Sequence, residues 1–191
     1  AFFDEHPEYR IVHVHQDCLS SIALQSAAQH GVPVRIAHSH NANQDKNWKY
    51  LVKLWYRRTI SNDATALFAC GQEAGDWMFG GAPFQVIRNA IDAASYRYAA
   101  AKRSAMRQQL GLSEELAIGH VGRFNPQKNP PFLLVIFAAL LKQEPNAVLL
   151  LVGGGNDLPK IQARAQALGI SGRVRFLGVR SDVADLMQAM D

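Results

Sequence analysis

Short apolar runs alternate with longer amphipathic ones along the whole chain, and few architectures tolerate such an alternation. The strand candidates are 11–15, 34–38, 65–70, 84–87, 116–121, 147–152 and 173–177. Between them lie helix candidates at 19–30, 48–60, 72–79, 99–110, 132–142, 158–168 and 183–190. Gly31, Gly111 and Gly169 stand where three of these helices should close, because glycine enters the left-handed region that ends a helix. Strands that follow one another through helices must run parallel, and a parallel sheet needs helices on both faces. The expected class is therefore α/β with doubly wound, Rossmann-like sheets. The segment 88–98 has no clean period and separates two such runs. Two lobes follow from this, one ending near residue 90 and the other running from 91 to 191.

A hydrophobic content of 48% supplies apolar material for two small cores. The longest unbroken apolar run, Phe132 to Leu141, spans ten residues, too short to cross a bilayer and suited to a buried helix. The two cysteines, Cys18 and Cys70, read as free thiols of a reducing, cytoplasmic compartment. The chain opens on Ala1-Phe-Phe-Asp-Glu-His, with neither a starting methionine nor the order of a secretory signal, and reads as part of something longer. Net charge is +4. Lys46, Lys49, Lys53, Arg57 and Arg58 against the single acid Asp45 account for all of that surplus within one segment. A nucleic-acid partner is not indicated by so local an excess. The same segment has Trp48, Leu51 and Trp55 at one helical spacing and Lys49, Lys53 and Arg57 at another. That pattern predicts either a solvated cationic face or peripheral contact with anionic headgroups through 46–58.

The chemistry concentrates in Ile118-Gly-His-Val-Gly-Arg-Phe-Asn-Pro-Gln-Lys-Asn-Pro-Pro131. A strand ends here, Gly122 allows a tight exit, Asn129 can cap, and Pro130 or Pro131 suits the first turn of a helix. Free amides at that helix start, its dipole, a bidentate Arg123 and a mobile Lys128 would together hold a diphosphate without a metal. Gly153-Gly154-Gly155, after the run 149–152, offers a second close approach of backbone to phosphate. No lysine-serine or lysine-threonine pair follows it, and a G-x-G-x-x-G pattern fails at Leu158. A nucleoside triphosphatase and a dinucleotide oxidoreductase are both disfavoured. His13/His15 and His38/His40 form two H-x-H pairs, each placed on one face by strand alternation. Such pairs can ligate zinc, yet no acidic or cysteine ligand shares the pattern, so no metal site is assigned. His13, inside a strand, is expected to be the buried, hydrogen-bonded imidazole.

Gly122-Arg123 with Lys128 resembles the G-R-(L/F)-x-x-x-K motif of retaining GT-B glycosyltransferases of family 4. The order that follows is similar to that family's donor lobe: Leu149 to Gly155, a helix ending at Leu168-Gly169, then Val174 to Arg180. Ile11 to His15, Val32 to Asn41 and Val86 to Asp92 resemble the first lobe of its bacterial exopolysaccharide and capsular members. The resemblance implies a central fragment of a GT-B enzyme, with both lobes incomplete and a C-terminal E-x7-E motif lying beyond Asp191. It implies metal-independent hexosyl transfer with retention, from a nucleotide diphosphate sugar, UDP-linked by family frequency, to a glycan or lipid-linked acceptor. No cofactor is implied. Arg123, Lys128 and His40 would carry catalysis. Gly122, Gly153, Gly155, Leu177 and Arg180 would meet the donor, Leu177 through its backbone. His15, His38 and Asn41 would lie on the acceptor side. Two rivals keep the fold but change the chemistry: a noncatalytic nucleotide- or sugar-binding module, and a nucleotide-sugar epimerase.

Overall fold

The computed structural model describes residues 2–42 and 50–191. The chain divides into two compact units, Ala1–Ile91 and Asp92–Asp191. The first contains α1 (Phe2–Glu5), β1 (Ile11–Val14), α2 (Ser20–Gln29), β2 (Val34–Ser39), α3 (Tyr50–Asp63), β3 (Ala66–Ala69), α4 (Gln72–Phe79) and β4 (Gln85–Val86). Its four strands lie in the order β1-β2-β3-β4, and every pair is parallel. Period-two alternation divides their side chains. Ala37 and Ala69 face a core filled by Leu24 of α2, Ile60 of α3, and Met78 and Phe79 of α4. Ser39 is on that side too, fully buried, and its hydroxyl donates to the Ala74 carbonyl at 2.8 Å. His13, His38 and Phe68 occupy the opposite phase.

The second unit contains α5 (Ala100–Gln109), β5 (Ala117–Val121), a 3₁₀ turn at Pro126–Lys128, α6 (Pro130–Leu140), β6 (Val148–Val152), α7 (Leu158–Ala167), a second 3₁₀ turn at Ser171–Arg173, β7 (Val174–Gly178) and α8 (Val183–Gln188). Its sheet is parallel, with β6 between β5 and β7. All five residues of β6 are buried, as a strand covered on both faces requires. Leu149 and Leu151 pack with Phe124, Leu134, Phe137 and Ile161. Val148, Leu150 and Val152 pack the other way, with Met106, Leu112, Leu186 and Ala189. Each such leucine contributes about 1.5–3 kcal/mol of apolar transfer.

Predicted and observed elements agree in type throughout, and Gly31, Gly111 and Gly169 have φ of +72°, +60° and +69°. Three details differ. The short α1 and the 3₁₀ turns at Pro126–Lys128 and Ser171–Arg173 were not signalled by any period. The helix expected at 132–142 begins two residues earlier, at Pro130. Asn129 does not cap it with its side chain; it adopts φ +46°, a left-handed conformation that asparagine tolerates better than most residues. The side-chain cap belongs instead to Asn125, whose Oδ1 accepts from the Lys128 amide at 3.0 Å and closes the 3₁₀ turn.

The basic helix also differs. Trp48, Lys46 and Lys49 lie outside the described residues. In α3, Lys53 donates to Asp17 Oδ2 at 2.6 Å, and Arg57 donates to the Trp77 carbonyl at 2.7 Å while its guanidinium sits over the Trp77 ring. Leu51 and Trp55 are turned outward, 74% and 61% exposed, and Val52 and Arg58 are exposed with them. The solvated cationic stripe predicted for 46–58 is therefore not formed by Lys53 and Arg57: their long stems reach inward to partners on neighbouring segments.

Candidate functional site

At the carboxyl end of the second sheet, three loops are stitched together by backbone hydrogen bonds. The Gly122 amide donates to the Val152 carbonyl at 2.9 Å, Phe124 to Gly154 at 2.9 Å, and Gly153 to Gly178 at 2.8 Å. The last bond depends on a slip in register between β6 and β7, which sets Val152 opposite Gly178 instead of Leu177. Gly153 has φ +137°, and a Cβ there would fall 1.9 Å from the Gly122 carbonyl oxygen; at Gly155, φ +154°, it would fall 2.4 Å from that of Phe124. Glycine is required at both positions by dihedral and by space.

These loops enclose a cavity of about 530 Å³ lined by Val121, Gly122, Arg123, Val152, Gly153, Gly154, Gly155, Val179, Arg180 and Val183. A second hollow of about 370 Å³ lies on the Phe124–Pro126 and Asn156–Asp157 side, again bordered by Arg123, Gly154 and Gly155. The amides of Gly154 and Gly155 have no hydrogen-bond partner among the described residues. Two free N–H groups, one guanidinium and an apolar wall, including a Val179 that is 84% exposed, can receive an anion joined to a flatter, less polar body.

Gly122, Gly153, Gly155 and Arg123 are thus brought together, while the other predicted members fare differently. The helix start contributes no free amides. Pro130 and Pro131 have no N–H, and the amides of Phe132 and Leu133 both reach the Asn129 carbonyl, at 3.1 and 3.4 Å. The amides left without a partner belong to the glycine turn after β6 instead. Lys128 is exposed at the end of the 3₁₀ turn and lines neither cavity. Arg180 borders the larger one, but its fork is closed on Asp182: Nε to Oδ1 at 2.8 Å and Nη2 to Oδ2 at 2.6 Å. That bond holds the Asp182 carboxyl below its usual range and raises the Arg180 guanidinium. The Leu177 side chain packs into the core beside α8, leaving only its backbone near the site. Val179 was not singled out from sequence, and Gly154 was read only as the middle of the glycine run. The available signals were a third glycine flanked by two others and an apolar residue just past a strand end.

In the first unit, the two H-x-H pairs meet. His13 Nε2 lies 3.3 Å from His38 Nδ1, and His15 Nδ1 lies 2.9 Å from His40 Nε2. Ring centroids along the pairs are 4.1 Å apart for His13/His15 and 4.3 Å for His38/His40. The edge of Phe68 abuts both His13 and His38. The buried imidazole is His38, 7% exposed, and not His13, which is exposed. His38 belongs to β2, flanked by β1 and β3, whereas β1 is the edge strand among the described residues. Burial, followed by repulsion from His40, His15 and His13, pushes the His38 pKa down; the Ile87 backbone opposes this only in part. Burial and the charges of His15 and His40 lower that of His13. Asn41 is exposed just beyond this row, and among the described residues its backbone carbonyl accepts from the Ser39 hydroxyl at 3.5 Å.

Residues 102–191 match the glycosyl transferases group 1 family. The chain is 33% identical over 196 residues to the putative glycosyltransferase EpsF of Bacillus subtilis, covering 98% of this chain and 51% of that protein. The solved structure of Anabaena HepE in complex with UDP-glucose superposes with a TM-score of 0.77 at 25% identity, over 100% of this chain and 54% of that one. WaaG, a glycosyltransferase involved in lipopolysaccharide biosynthesis, is similar at TM-score 0.66 and 20% identity, over 94% of this chain and 59% of that one. The chain therefore spans about half the length of the relatives it matches. Its α/β fold with parallel sheets is that of GT-B glycosyltransferases such as HepE and WaaG.

Proposed function

With residues 102–191 forming a glycosyl transferases group 1 domain, we propose that the chain is part of an enzyme that moves a hexose from a UDP-sugar to a glycan or lipid-linked acceptor. The transfer proposed is the retaining, metal-independent reaction of family 4. The observation that carries this reading is the cavity in which Arg123 and the unpartnered amides of Gly154 and Gly155 converge. When the glycosidic bond breaks, the anomeric carbon becomes cation-like and negative charge accumulates on the departing diphosphate. Donors fixed beforehand at that place lower the barrier without reorganising. Arg123 is the proposed diphosphate clamp. Lys128 is an outer charge that attracts the anion over a longer range, and Val179 and Val121 are walls for the nucleoside. The deprotonation of the acceptor hydroxyl is left to the leaving phosphate. The boundary near residue 90 is proposed to divide an acceptor-side lobe from a donor-side one.

The experiment is calorimetric titration of the chain with UDP in the presence of EDTA. Micromolar binding retained without divalent cations is expected, and UDP-glucose should compete for the same site. No binding, or binding that returns only with added magnesium, would overturn the metal-independent clamp.

His40, with His15, His38 and Asn41 around it, is proposed to orient the acceptor hydroxyl. In the full-length protein, His40→Ala should reduce transfer by about 10²-fold or more, the usual contribution of a positioned general base, with UDP affinity unchanged. Equal loss of both would assign His40 to the donor instead. Among the described residues no helix is long and apolar enough to cross a membrane. Peripheral contact by charge does not enter the proposal, because Lys53 and Arg57 are engaged internally.

A further inference from the structure

The contacts among the four histidines go beyond what orienting an acceptor hydroxyl through His40 requires. His13, His15 and His38 each offer a ring nitrogen, with the three atoms within 4.8 Å of one another. Two nitrogens bound to one tetrahedral zinc at about 2.0–2.1 Å lie about 3.3 Å apart. The separation of His13 Nε2 from His38 Nδ1 is 3.3 Å, equal to that edge and longer than an ordinary N–H hydrogen bond. The His15–His40 pair differs, since its 2.9 Å is a normal hydrogen-bond length. Two imidazoles are thus spaced like ligands, and a third is held close by by a fourth that bonds to its other edge.

We propose that His13, His15 and His38 are the protein ligands of a zinc-class divalent cation at the carboxyl ends of β1 and β2, with His40 fixing the orientation of His15. The donor set selects the cation class. Among the described residues no carboxylate belongs to the group, so hard cations such as magnesium and calcium are poorly served, whereas neutral imidazole suits zinc. An imidazole that ligates through Nδ1 carries its proton on Nε2. His38 turns its Nδ1 edge to His13, and its Nε2 is buried with no hydrogen-bond partner among the described residues. His40 performs the task of an outer partner, orienting a ligand through its second nitrogen. Three protein ligands leave one tetrahedral position open.

The inference goes beyond sugar transfer and does not require it, so the test reads metal and not activity. The chain, stripped with EDTA and dialysed, is titrated with Zn²⁺ alone, and separately with Co²⁺ to record the visible bands of a tetrahedral site. One equivalent should bind. His13→Gln and His15→Gln, both at exposed positions, should each weaken binding by more than about 100-fold, beyond the ~10–100-fold cost of losing an outer partner. His40→Gln should stay within that smaller range. His6→Ala and Cys70→Ser should leave zinc affinity unchanged. His38→Ala removes a buried ring, so it is included only if its circular dichroism matches that of the parent chain. Absence of stoichiometric binding overturns the proposal, as does an octahedral cobalt spectrum or equal affinity in His13→Gln and the parent. Loss of UDP binding with zinc binding intact would defeat the sugar-transfer reading alone.

Discussion

Gly153→Ala is expected to destabilise the second unit by about 2–5 kcal/mol, combining ~1–2 for a positive φ on a residue with a Cβ and ~1–3 for overpacking. The clash is with the Gly122 carbonyl oxygen at 1.9 Å. That oxygen belongs to the backbone and cannot swing aside as a side-chain terminus would. Relief would require breaking the bond from Gly153 to Gly178 or that from Gly122 to Val152, and either opens the mouth of the cavity. A urea titration followed by circular dichroism should show an earlier midpoint for the unfolding of Asp92–Asp191, and UDP binding should fall with it. Gly154→Ala supplies the contrast. Its Cβ would meet only Val179 Cγ2, at 3.2 Å, with no positive φ. The fold should therefore tolerate it, and any loss should be in binding. Equal stability of Gly153→Ala and the parent would show that the three loops are not stitched as described.

Arg123→Ala is expected to weaken UDP binding by about 10–100-fold, since hydrogen bonds to charged groups contribute about 1.5–3 kcal/mol and each 1.4 kcal/mol is tenfold. Arg123 is exposed and borders both hollows, so its removal should leave the thermal midpoint unchanged. Lys128→Ala should cost only a few-fold, with the loss vanishing at high salt, as a charge outside the pocket acts through a screened field. Replacing both should then resemble Arg123→Ala alone once salt is raised. Arg123→Lys should recover only part of the affinity, because an ammonium cannot reproduce the fork. Undiminished binding in the double variant would remove the clamp from the proposed mechanism.

The contrast between these two basic residues illustrates how much of the site could be read beforehand. Glycine, arginine and lysine at that spacing pointed to a diphosphate, and Gly122, Arg123, Gly153 and Gly155 do line common space. The spacing did not tell which amides would be free. Prolines at the start of α6 were favourable for forming the helix, but they and the Asn129 carbonyl leave no donor there. Arg180 was legible as a cation at a strand end. Its capture by Asp182, two residues on, depended on the turn between them. In the first unit, alternation put each H-x-H pair on one face, yet which imidazole was buried depended on strand order, a long-range property.

Local chemistry sufficed for the parallel α/β class, the closing glycines and the apolar strand Val148–Val152, because hydrophobic period and positive-φ preference act within a few residues. Tertiary structure decided what lay between distant segments. It alone brought His13 to His38 across 25 positions, set the Gly153 turn against Gly122, and drew Lys53 and Arg57 inward while leaving Trp55 exposed. Strand order and register control those contacts, and no local period encodes which strand becomes the neighbour of which.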